Sequence, residues 1–176
     1  MAPVGRSPST YRKHDMITAE YLRKRLSYDP ETGIFRWRIV PSLRVKVGGI
    51  AGSLVKSGHV RIRLKGYPYY AHRLVWLYVH GVWPSAEIDH INCDPADNRL
   101  KNLREATRAE NARNRSMSKA NTSGYKGIVA CKDKFQVTIK ADGKTRYLGR
   151  YPSLLAAEVA YGQAAALLHG KFARIR

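Results

Sequence analysis

The sequence predicts an α+β chain in three successive pieces. These are an N-terminal β-hairpin module, a strand–loop–strand–helix core, and a three-stranded antiparallel sheet packed on one helix. Three observations predict it. Apolar residues alternate with polar ones over 59–64, the period of two that marks a half-buried strand. Thr107, followed three residues later by Glu110, is a capping box that opens a helix directly after two short extended runs. The Ala-rich stretch 153–168 contains no Lys or Arg, whereas the strands before it carry many, so its apolar surface has to pack on a sheet.

Each element has its own signal. Thr18 caps a short helix over 19–26, with Tyr21, Leu22 and Leu26 on one side. Asp29-Pro30-Glu31-Thr32-Gly33 is turn chemistry, and 34–38 alternates as a strand. Residues 45–52 are short and Gly-rich. Lys65-Gly66 turns the strand at 59–64 into a second at 67–70, with Val60, Ile62 and Leu64 inward. Arg61 and Arg63 then face outward, either as phosphate contacts or as a solvated strand face. Leu74, Leu77 and Tyr78 recur at helical spacing, and Gly81 ends that helix. Extended pieces at 87–91 and 102–105 flank a loop, and the capped helix occupies 108–115.

Residues 116–123 are rich in Ser, Asn and Lys and read as a linker. Strands follow near 125–130, 134–141 and 144–149, the last two joined by an Asp142-Gly143 hairpin turn. Phe135, Val137 and Ile139 point to the final helix, leaving Gln136, Thr138 and Lys140 on an open, basic face that suits insertion into a groove. The expected divisions are a flexible basic arm (1–15), a β-rich DNA-contacting module (16–70), a core (71–115), a linker (116–122) and a second DNA-binding domain (123–176).

Composition restricts the partners. The 32 Lys and Arg outnumber 13 Asp and Glu, for a formal net charge of +19 and a pI near 10.3. Such a balance calls for a polyanion. No apolar run is long enough to span a bilayer, so membrane is not the expected partner. The basic, Ser- and Pro-rich stretch 1–14 has no apolar h-region and does not read as a secretory signal. It is either an arm trailing along phosphates or plain disorder. Cys93 and Cys131 form no C-x-x-C pair, which argues against a zinc ribbon or a disulfide framework and fits a reducing cytoplasm. No structural zinc is expected.

The chemistry concentrates in Ile88-Asp89-His90-Ile91-Asn92, then Asp97-Asn98-Arg99, Asn102-Leu103-Arg104 and Glu110-Asn111. An imidazole with an ordinary pKa of about 6.5 can take a proton from water near neutrality. Asp89 can hold a hard cation, provided the strand ends there so that its side chain and that of His90 converge. Asn111, on the first turn of the next helix, can add an amide oxygen. Asn102 can hydrogen-bond across the loop and orient His90. Oxygen donors suit Mg²⁺ rather than zinc.

This order of motifs, with His72-Arg73-Leu74 ahead of it, resembles the HNH endonucleases of phage homing type over residues 59–114. The resemblance implies a ββα-metal nuclease core that cleaves DNA with one divalent cation, Mg²⁺ or Mn²⁺. It implies His90 as general base, Asp89 and Asn111 as metal ligands, and Asn102 as the middle, structural Asn. Cys93 stands where the family often has Gly. A phage- or prophage-encoded protein in a bacterial cytoplasm is the setting it suggests.

The third piece resembles the DNA-binding domain of plant ethylene-response factors (apetala-two type). The resemblance rests on Ser123-Gly124-Tyr125-Lys126-Gly127-Ile128, Phe135, Gly143-Lys144, Leu148-Gly149, Ala156-Ala157 and Ala160-Tyr161. It implies DNA-facing positions at Lys126, Lys140, Thr145 and Tyr147. Val129, Cys131 and Thr145 depart from the family's arginines, so phosphate contact is expected to outweigh base reading. The full set of expected DNA contacts adds Arg61, Arg63, Arg73, Arg113, Gln136, Thr138 and Lys144.

The expected activity is hydrolysis of double-stranded DNA by a monomer or weak dimer, as a nick or as a double-strand break. The alternative is a non-catalytic DNA-binding protein derived from such an enzyme. RNA binding is disfavoured because the exposed aromatic pairs of stacking modules are missing.

Overall fold

A computed structural model of the chain describes residues 17–42, 44–114, 121 and 123–175. The expected arm at 1–15 and all of the linker at 116–122 except Asn121 lie outside the described residues. The fold is mixed α/β, with small sheets and four α-helices among the described residues. It divides into two compact units, Met1–Glu105 and Ala106–Arg176.

In the first unit, Thr18 caps α1 (Ala19–Arg25) by accepting the Tyr21 amide on Oγ1 at 3.1 Å, a bond worth about 1 kcal/mol. The helix is one residue shorter than the apolar spacing suggests. Leu26 turns extended and begins β1 (Leu26–Asp29), a strand that the alternation did not reveal. β1 pairs antiparallel with β2 (Ile34–Trp37) across the expected turn, where the Asp29 carboxylate accepts from the Glu31 amide and the Thr32 hydroxyl. A short β3 (Ser53–Leu54) joins the expected hairpin of β4 (Val60–Leu64) and β5 (Tyr67–Tyr70), giving sheet order β3-β4-β5. Ile62 and Leu64 are buried and Arg61 and Arg63 exposed, as the period of two requires.

The chain passes directly from β5 into α2 (Ala71–His80), which ends on Gly81 in the left-handed region. β6 (Glu87–His90) and β7 (Leu103–Ala106) form a two-stranded sheet bridged by a loop and a 3-10 turn at Leu100–Asn102. Residues expected in two successive modules share one hydrophobic core here. Leu22, Phe35 and Ile62 pack in the same cluster as Leu74, Leu77, Ile88 and Leu103. Fully burying each such side chain contributes about 1.5–3 kcal/mol.

In the second unit, α3 (Arg108–Asn114) begins at the expected capping box. The Thr107 amide donates to Glu110 Oε2 at 2.8 Å, and the Glu110 amide returns to Thr107 Oγ1 at 3.2 Å. β8 (Ile128–Cys131), β9 (Lys134–Ala141) and β10 (Lys144–Tyr151) form an antiparallel sheet in the order β10-β9-β8. α4 (Leu154–His169) covers one face, burying Ala157, Tyr161 and Ala165 against Ile128, Val137 and Ile139. Neither Cys93 nor Cys131 is in a disulfide. Among the described residues, no helix is long and apolar enough to cross a membrane.

Candidate active site

Ile88, Asp89 and His90 close β6, and all three are buried although two of them ionise. Their surroundings differ in the way alternation along a strand dictates. Asp89 meets Arg104 of β7, while the His90 ring meets those of His72 and His59. Asp89 Oδ2 accepts from Arg104 Nε at 2.8 Å and lies 2.7 Å from Nη2. The guanidinium fork thus supplies hydrogen bonds to a carboxylate side chain that is only 4% exposed.

On the other side, the His90 ring centroid stands 5.0 Å from that of His72, edge-on, and 5.7 Å from that of His59. His59 and His72 are 5.3 Å apart. His72 sits in the first turn of α2 with Tyr70 stacked on it, and His59 immediately precedes β4. Ser57 Oγ lies 3.0 Å from His59 Nδ1.

Burial pushes all three imidazoles below their ordinary pKa. His72 falls furthest, to about 3, with His90, His59 and Arg73 adding charge repulsion. Burial lowers His59 too, against hydrogen bonding from Ser57. For His90 burial again dominates; Asn98 pulls the value part of the way back, His59 lowers it, and Asp89 and Asp94 raise it. The outcome is a neutral His90 at pH 7, able to accept a proton.

The loop between β6 and β7 is held from within. Cys93, at φ +61°, donates its amide to the His90 carbonyl at 2.9 Å. Arg99 grips both oxygens of Asp97, whose Oδ2 also accepts from Asn92 Nδ2 at 2.8 Å. Asn102 was expected to orient His90, and here the structure differs. Its Oδ1 accepts the Asn92 amide at 3.0 Å, while its Nδ2 donates to Asn92 Oδ1 and to the Asp97 carbonyl, both at 2.9 Å. Asn102 therefore staples the loop.

The amide beside His90 is Asn98, buried at 3% exposure. Its Nδ2 donates to the Ala96 carbonyl at 2.9 Å, and its Oδ1 has no partner in hydrogen-bonding geometry among the described residues. The signal for it was the Asp97-Asn98-Arg99 triplet, in which the clamp between the outer two residues sets the middle one. The first unit anchors this loop as well. The Tyr28 hydroxyl donates to the Asn98 carbonyl at 2.9 Å and accepts the Leu100 amide at 3.0 Å. Gly33, at φ +73°, backs so closely on the loop that a Cβ there would stand 2.5 Å from the Arg99 nitrogen.

The other expected ligand, Asn111, is half-buried on α3 in the second unit, its amide donating to the Thr107 carbonyl at 2.9 Å.

The expected DNA contacts divide into three groups. Arg61 and Arg63 are exposed on β4, although Arg63 also donates to the Gly66 carbonyl. Arg73 is drawn into the fold, donating to the Ala86 carbonyl at 3.4 Å with its guanidinium 5.9 Å from the Trp83 ring centre. In the second unit, Lys126 Nζ donates to the Arg113 carbonyl at 2.8 Å, and Arg113 pairs with Asp142 at 3.7 Å. These two cations brace their own unit rather than standing out from it.

On the sheet, cross-strand partners share a face. Thr145 opposes Lys140 and Tyr147 opposes Thr138, which joins them to Gln136 on the open side. Lys144 is exposed and opposes Ala141, which is buried on the helix side. Arg150 was missed. A bulge between Tyr147 and Gly149 resets the register, so Arg150 opposes Gln136 on the open face. Strict alternation from Tyr147 would have sent Arg150 to the helix.

A buried Asp–His pair at a strand end, a stapled loop and a second strand make up the candidate site. Residues 69–113 match the HNH endonuclease family model, so the chain carries an HNH endonuclease domain. A relative, Protein 3.8 of Escherichia phage T7, is 37% identical over 108 residues, covering 60% of this chain and 88% of that protein. The HNH homing endonuclease I-HmuI, solved in connection with DNA binding and cleavage, is similar at 22% identity and a TM-score of 0.40. That comparison covers 82% of this chain and 85% of the other.

Proposed function

We propose that the chain is a divalent-metal-dependent DNA endonuclease of the homing type, with His90 as general base and Asp89 and Asn111 as metal ligands. The observation that carries this reading is the end of β6, where a neutral imidazole directly follows a buried carboxylate gripped by Arg104. A carboxylate and an amide oxygen form a hard donor set, which fits Mg²⁺ or Mn²⁺. Such a cation, when bound, stabilises the charge developing on the phosphate and on the leaving 3′-oxygen. His90 draws the proton from the attacking water as its oxygen bonds to phosphorus, and the bond to the 3′-oxygen breaks. Asn98 lies beside the imidazole, and Asn102 holds the loop that carries Asn98.

Double-stranded DNA is the substrate that a charge of +19 favours. Lys140, Thr145, Tyr147, Thr138, Gln136 and Arg150 form the open face of an ethylene-response-factor-type module that grips the duplex, with Arg61 as a further phosphate contact. The phage relative supports a phage- or prophage-borne gene.

Plasmid cleavage with Mg²⁺ or Mn²⁺ tests the reading. His90→Ala is expected to lose about 10²–10⁴-fold in rate. If wild type leaves supercoiled plasmid intact with either ion on varied DNA, the non-catalytic DNA-binding reading takes its place.

A further inference from the structure

His59, His72 and His90 are far apart in sequence, and only two of them border recognised motifs. Their ring nitrogens nevertheless gather so that one from each lies within 4.8 Å of the others. Three zinc-bound imidazoles in tetrahedral geometry, at Zn–N distances of about 2.0–2.1 Å, place their nitrogens about 3.3 Å apart. Small side-chain rotations close that difference. We propose that His59, His72 and His90 together bind a transition cation of the Zn²⁺ or Co²⁺ class, at a site separate in chemistry from the oxygen-ligand site of Asp89.

Four observations carry the site. His72 is only 7% exposed, and its Nδ1 has no hydrogen-bond partner among the described residues, the condition of a buried donor atom meant for a ligand. Ser57 engages His59 Nδ1, the outer contact that orients a ligating imidazole and turns its Nε2 toward a metal. His72 and His90 are buried and His59 half-buried, so a cation held among the three rings is largely withdrawn from bulk water. An all-nitrogen set selects Zn²⁺, Co²⁺, Ni²⁺ or Cu²⁺ over Mg²⁺.

Because His90 belongs to both, occupancy of this site excludes proton transfer by His90. That consequence rests on the proposed function; the site itself does not.

The test is a Co²⁺ titration of the metal-free full chain, read by visible ligand-field absorption, with Zn²⁺ competition. The expected result is one Co²⁺ per chain with bands of a nitrogen-rich, low-coordinate ion, displaced by Zn²⁺ and indifferent to Mg²⁺. His59→Ala and His72→Phe should each weaken binding by more than about tenfold. His80→Ala, on the far end of α2, should leave it unchanged. His59 is only half-buried, so its variant keeps the test decisive if His72→Phe fails to fold. Bands absent in wild type, or undiminished in His59→Ala, overturn the site. Equal loss in His80→Ala overturns it as well, since that marks scattered surface histidines. The readout is metal binding, so it holds whether or not plasmid cleavage is seen.

Discussion

Lowering the pH from 7 to 5 should destabilise the first unit by about 2 kcal/mol through His72 alone. The imidazole is neutral in the fold down to about pH 3, whereas in the unfolded chain it takes a proton near 6.5. The unfolded state therefore binds more protons throughout that window, and stability falls as pH falls. Integrating between those two values gives a loss of about 0.2 kcal/mol already at pH 7 and about 2 kcal/mol at pH 5. The carboxylates held low, Asp97 at about 2 and Asp29 and Glu110 below their usual values, titrate beneath this window. His59 and His90 shift in the same direction as His72 and add to the loss. The assay is urea unfolding with chelator, followed by tryptophan fluorescence. Trp37, Trp76 and Trp83 all lie in the first unit, so the signal reports that unit alone. At an m-value of about 1–3 kcal/mol/M the midpoint should drop by roughly 1 M. His72→Phe should remove about 2 kcal/mol of the pH dependence and leave the remainder. A midpoint equal at both pH values, or a His72→Phe variant with the wild-type slope, would refute the reasoning.

Three further outcomes are expected. Arg104→Ala strands a buried carboxylate and should cost about 3–5 kcal/mol in urea unfolding, and a loss below 1 would mean that water reaches Asp89. Cys93→Gly relieves a left-handed backbone costing about 1–2 kcal/mol against a glycine entropy penalty of about 0.5–1. A net gain of up to about 1.5 kcal/mol in thermal unfolding follows, and a destabilised variant would contradict it. Arg150→Ala should weaken DNA binding and reduce its salt slope by about 1, while Lys144→Ala changes neither; the reverse ranking would show the sheet register argument to be wrong.

Local structure was legible where the physics is local. Thr18, the Thr107–Glu110 box, Gly81 and the Asp142-Gly143 turn are signals within a few residues, and the helices and hairpins lie where they point. β1 was not legible, because Leu26 satisfies the helical spacing of Tyr21 and Leu22 as well as it satisfies a strand. The Asp89-His90 pair stood out by residue type, but its partners did not. Arg104 is fifteen positions from Asp89, and His59 and His72 reach His90 only once β4, α2 and β6 have packed. Asn102 and Asn98 are the same residue type a few positions apart, and only the fold says which is the staple and which faces the imidazole. The absence of C-x-x-C argued against a zinc ribbon but is silent about imidazoles brought together from three elements.

The Tyr28 hydroxyl, bridging the Asn98 carbonyl and the Leu100 amide, and Gly33, pressed against the same loop, both lie well upstream of the family match at 69–113. The motif that defines the family is thus not portable on its own. A graft of residues 69–113 into another protein would carry every named letter of the motif and leave its loop without a floor. A working transplant would have to bring the β1–β2 hairpin along.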